Sequence, residues 1–193
     1  MPLTPRAQVS PAALVFPASR KFEGNDGSWS TFIVSVGGQD FDVLPFTNSL
    51  ETWVPAADGC PQSAPPNCPS LRGARLVNNV QSAGYKPGVN ATQIDVIILK
   101  PISTLNYFND TVQGVLLTDT VGIGSASGNQ PQLQQQLVMS VTDTEYWLGG
   151  FGLLPGVGAY ANPPKDSWLR AYNGTGNLPS CTYGYTAGAS YRM

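Results

Sequence analysis

Glycine and proline set the first limit on what this chain can become. Its 21 glycines and 17 prolines are spread between short apolar runs along the whole length. Glycine costs backbone entropy in a helix interior, and proline lacks the N–H and clashes with the preceding turn. A helical bundle is therefore excluded. A hydrophobic content of 41% still supplies a core, which argues against intrinsic disorder. Between the interruptions the pattern has a period of two. From Trp29 to Val36, Phe32, Val34 and Val36 alternate with Thr31, Ile33 and Ser35, and Gly37-Gly38 then turns the chain into a second alternating run at 40–44. Further strand patterns cover 51–55, 92–99, 102–108, 112–117, 120–123 and 133–141, the last opening on an exposed glutamine cluster at 132–136. Many short strands at such spacing predict an all-β sandwich or barrel. One helix is expected near 165–172, where Pro163, Pro164 and Asp166 precede Trp168, Leu169 and Tyr172 and Asn173-Gly174 closes the run.

Composition removes most chemistries. Histidine is absent, so no imidazole base, Ser-His-Asp or Cys-His arrangement, or histidine-ligated zinc site is available. Ten basic and 12 acidic residues give a net charge of −2, which offers no excess to neutralise nucleic-acid phosphates. Catalysis, if present, would rest on carboxylates, with no metal and no cofactor.

Compartment can be read from smaller signals. The apolar patch at 12–16 is short and bracketed by Pro11 and Pro17, so it does not read as a signal peptide, and no apolar run is long enough to span a bilayer. Glycosylation sequons open at Asn90, Asn109 and Asn173. Cys60 and Cys68 flank a proline-rich loop suited to a disulfide. Together these predict an extracellular or cell-surface setting. Cys181 reads either as a buried free thiol or as one whose partner lies outside this sequence.

Several stretches, in order, carry a resemblance. The segment 29–55, WSTFIVSVGGQDFDVLPFTNSLETWVP, runs strand, glycine turn, strand, loop and Trp-Val-Pro; 107–121, YFNDTVQGVLLTDTV, ends in Asp-Thr-Val; and Gly149-Gly150-Phe151-Gly152-Leu153 follows. These resemble the opening hairpin, the flap and the segment beneath the catalytic loop in the N-terminal lobe of pepsin-like aspartic proteases. The wording is closest to fungal secreted or membrane-anchored members. The resemblance implies a double-psi β-barrel lobe over 23–193 behind a Pro-rich segment at 1–22, with the C-terminal lobe absent. The helix and the Cys60–Cys68 loop also fall where that family has them.

That family hydrolyses peptides with two aspartates that share a proton around a water, because adjacent like charges cannot both ionise. Each aspartate sits in an Asp-Thr/Ser-Gly turn. The matching turn here is Phe46-Thr47-Asn48-Ser49, so a phenylalanine stands in the place of the acid. Asn48 tolerates the left-handed backbone that glycine would supply better than most residues, which leaves the turn able to form. Asp40, Asp42, Asp119 and Asp143 are read as exposed strand-end acids or turn caps. The expected function is thus a catalytically inactive binding or structural module, its cleft lined by Phe46, Tyr107 and Phe108. Its partner would be an extended peptide or the missing C-terminal lobe. The alternative is an aspartic endopeptidase acting as part of a longer chain.

Overall fold

The computed structural model describes residues 13–24, 29–76, 79–80, 82–99, 112–142, 144, 147–159 and 161–184. The expected strand at 102–108 lies outside them, as do Tyr107, Phe108, Asn109 and Asp143.

In chain order the elements are β1 (Ala18–Glu23), β2 (Trp29–Val36), β3 (Gln39–Phe46), β4 (Thr52–Pro55) and the short helix α1 (Cys68–Leu71). Then come β5 (Thr92–Leu99), β6 (Val112–Ile123), β7 (Gln132–Val141), β8 (Gly149–Gly152), β9 (Val157–Gly158), β10 (Lys165–Asp166) and helix α2 (Trp168–Gly174). The β-rich class expected from the alternating runs is present, as one large mixed sheet. Its order is β1-β2-β3-β8-β4-β7-β6-β5, and β2 pairs with β6 as well. That extra pairing joins β2, β3, β8, β4, β7 and β6 into a closed circuit, which removes most open edges.

The β2–β3 hairpin turns at Gly37 (φ 58°) and Gly38 (φ 81°), with Val36 opposite Gln39. Two successive positive φ values match the right-handed twist of the flanking strands, which is why two glycines occur there. In β2 the residues Phe32, Val34 and Val36 are buried, as the period of two requires. They pack with Phe41, Val43, Val54, Val121, Ile123, Val138 and Phe151 in the main core. The runs at 112–117 and 120–123 form one strand, β6, whose pairing with β7 shifts register between Asp119 and Val121.

Two features depart from the expected element map. The proline-rich lead joins the sheet, since β1 pairs with β2 and Leu14 and Phe16 pack on the core. Phe16 meets Phe32 and Phe151 edge to face at 4.9 and 5.1 Å. The helix begins at Trp168, because Lys165 and Asp166 pair with Gly158 and Val157 and Ser167 remains extended. Trp168 and Leu169 bury inward from the helix start, and the Trp168 indole N–H donates to Val121 O at 2.9 Å. A second short helix, α1, follows the disulfide loop. Its first residue is Cys68, which is bonded to Cys60 as the sequence suggested. No helix among the described residues is long and apolar enough to cross a membrane.

Candidate functional site

Consecutive strands β3 and β4 do not pair with each other. Strand β8 is inserted between them, parallel to β3 and antiparallel to β4. The connecting loop 47–51 therefore arches over β8. Phe46 O accepts from Leu153 N at 2.8 Å and Ser49 O from Leu154 N at 3.0 Å, which ties the loop to the chain beneath it. A side chain at Gly152 would collide with the carbonyls of Ser49 and Glu51, so the close passage depends on glycine. The segment 149–153 thus lies under the loop, as expected.

Phe46 ends β3 at the base of this loop, half-buried. Its ring rests on Gly150, where any Cβ would strike it, and meets Trp53 edge to face at 6.1 Å. Ser49 is the polar centre of the loop. Its hydroxyl donates to Glu51 Oε2 at 2.7 Å and accepts from the Trp53 indole N–H at 3.1 Å. The Glu51 backbone N–H also reaches the hydroxyl, at 3.3 Å. Ser49 therefore orients a carboxylate, that of Glu51, while position 46 offers only a hydrocarbon face. Thr47 and Asn48 are exposed. Asn48 does not take the left-handed backbone that it would tolerate. Among the described residues only Arg20, Asn79 and Gln135 do so without being glycine. The loop is instead tied to Leu153 and Leu154, just after β8.

Two of the acids differ from expectation. Asp42 and Asp119 are fully buried, not exposed strand-end groups. Asp119 accepts from the Tyr85 hydroxyl at 2.7 Å, Gly88 N at 2.9 Å and Thr120 N at 2.7 Å. Its carboxylate also lies against Gly37, where a side chain would collide with it. It thus joins the β2–β3 turn, β6 and the 82–91 loop. Burial first, and then the neighbouring Asp119, push the Tyr85 phenol far above its usual range, so Tyr85 stays a donor. Asp42 binds Lys21 Nζ at 3.1 Å and Arg75 Nη1 at 2.6 Å. Asp40 caps the turn after β6, taking Ser125 Oγ and the Ala126 N–H at 2.7 Å. Each acid is committed to structure.

Three participants escaped the sequence reading. Glu23 ends β1 beside Asp42. Tyr85 sits in a loop with no periodic signal. Arg72 is completely buried, its guanidinium bonded to Gly59 O and Trp147 O beside the Trp147 ring. Only the Gly84-Tyr85 pair hinted at a fixed turn, because Gly84 has φ 117° and a Cβ there would strike Ala56 O.

Of the sequons, Asn90 is exposed in a turn and Asn173 lies in α2. Cys181 is a partly buried free thiol against Leu169 O at 3.8 Å. A cavity of about 540 Å³ opens between the N-terminal segment and residues 178–184, walled by Leu14, Phe16, Phe32, Leu153 and Leu169. Among the described residues no three Cys, Asp or Glu side chains converge as metal ligands would. No protein-family model matches the chain, and no curated protein does.

Proposed function

We propose that the chain is a catalytically inactive lobe of the pepsin-like type, a secreted or cell-surface module that binds or organises and does not cleave. Three features support the double-psi barrel reading: β8 inserted between β3 and β4, the closed circuit of strand pairing, and the glycines that allow the close passage under the loop. The disulfide and the exposed Asn90 sequon support the extracellular setting.

The observation that carries the loss of catalysis is Phe46. An aspartic peptidase needs a carboxylate at the end of β3, aimed at a water shared with a second acid. Here a benzyl group packed on Gly150 and Trp53 fills that place. It can neither take a proton from water nor stabilise the charge that develops on a tetrahedral intermediate. Glu51 does not replace it, because its carboxylate is turned toward Ser49. The residues around the position serve packing: Phe46 and Trp53 present an apolar floor beneath the loop, suited to the side chains of an extended peptide. Tyr107 and Phe108 complete this proposed cleft in the reading by resemblance.

The test is a peptidase assay at acid pH, run on the full chain with and without pepstatin. No pepstatin-sensitive cleavage is expected. Cleavage that pepstatin abolishes would overturn the proposal in favour of an aspartic endopeptidase.

A further inference from the structure

Strand β1 lies at the end of the sheet and has one partner, β2. Its ladder is short and interrupted: Ala18 faces Phe32, Phe22 faces Ser30 and Glu23 faces Trp29, with an irregularity between Ala18 and Phe22. Arg20 lies in that interval at φ 58°. The ladder to β2 is therefore short at this end, and what the strand's last residue does matters.

Glu23 turns inward there. Its side chain is only 11% exposed, and its Oε2 has no hydrogen-bond partner among the described residues. The charged groups facing it are Lys21 on the same strand, Asp42 on β3 and Arg75 in the segment after α1. Both cations are already engaged. Lys21 Nζ lies 3.1 Å from Asp42 Oδ2 but 3.8 Å from Glu23 Oε1, and Arg75 binds Asp42 Oδ1 at 2.6 Å. Two carboxylates thus compete for cations in a poorly hydrated nook, and Asp42 holds the better geometry. The proton belongs on Glu23.

We propose that Glu23 is a proton-operated clasp on β1: protonated, it seats the end of the edge strand against the barrel, and ionised, it loosens that end. A neutral carboxyl tolerates this burial better and removes the repulsion with Asp42. An ionised one must draw in water or pull Lys21 away from Asp42, and either motion weakens the short ladder.

Burial, followed by Asp42, raises the Glu23 carboxyl to about 7 against the opposing pull of Lys21 and Arg75. The folded state therefore holds this proton more tightly than the unfolded chain does. Stability from this group is fully present below the ordinary glutamate range, falls as pH rises toward 7, and is lost above it. The device is closed in acid and loose at mildly alkaline pH.

The experiment uses the full chain. Carbon-13 NMR titration of the glutamate carboxyls should show Glu23 titrating near 7. Amide exchange at 18–23, corrected for its intrinsic pH dependence, should lose protection between pH 5 and pH 8. In Glu23→Gln that loss should vanish. The variant's Tm should equal that of the parent at pH 4 and exceed it by about 3–6 °C at pH 8. Titration of Glu23 in the ordinary glutamate range, or identical exchange and Tm profiles for parent and variant, would overturn the clasp. Should Glu23→Gln fail to fold, the carboxyl titration of the unaltered protein decides the question by itself.

Discussion

Two loops of this β-rich fold treat polar chemistry in opposite ways. At Asp119 an acid is sealed inside the protein, with the Tyr85 hydroxyl and two backbone N–H groups supplying every strong interaction it needs. At the β3–β4 loop the Ser49 hydroxyl joins Trp53 and Glu51, and the neighbouring residue that ends β3 is the hydrocarbon Phe46, packed on Trp53. The first site spends its carboxylate on holding three segments together, so it has no lone pair turned to solvent for catalysis. The second presents the half-buried rings of Phe46 and Trp53 in contact with each other. Burial with satisfied donors makes an acid structural; an acid that does chemistry must keep one face open to substrate and water. Asp42 and Asp119, both fully buried, do not meet that second condition.

The contrast predicts a graded set of effects on stability. Asp119→Ala should cost the most, about 3–5 kcal/mol, because three donors lose their acceptor in a buried site. Urea unfolding would show it as a lower midpoint, and a loss below about 1 kcal/mol would mean that water replaces the carboxylate without penalty. Tyr85→Phe removes a single donor and leaves the acid with two, so a loss of about 1.5–3 kcal/mol is expected in the same measurement. Phe46→Ala should cost least, about 1–2 kcal/mol, since the ring is half-buried and its removal strands no polar group. A loss at Phe46 as large as that at Asp119 would mark the apolar floor as part of the core and not as an open surface.

The residues themselves made much of the fold legible. Strand β2 and the glycine hairpin follow from alternation and from the need for positive φ at two successive positions. Positions 149–152 were singled out only through resemblance and not read as a strand, because their short, glycine-rich run has no alternating pattern to read. Strand β1 was hidden by neighbouring prolines: Pro17 and the residues before it read as a lead, yet Phe16 and Leu14 find core contacts that local sequence cannot announce. The helix start shifted because Lys165 and Asp166 had a backbone partner, residues 157–158, which a helical pattern cannot anticipate.

At the candidate site, the hydrocarbon at position 46 and its spacing to Trp53-Val54-Pro55 were legible in the sequence. The state of the remaining acids was not. A lone aspartate in a strand reads as exposed by residue bias, and only the fold brings Tyr85, Gly88 and Gly37 around Asp119 from 31 or more positions away.

What the sequence determined by itself was the β-rich class, the Cys60–Cys68 closure and the hydrocarbon at position 46. These depend on short-range periodicity, on loop length and on residue identity. The tertiary structure alone decided which carboxylates are buried, which cations they hold and where a proton must remain. Those properties depend on desolvation and on the distances between charges, and both arise only when remote segments are brought together.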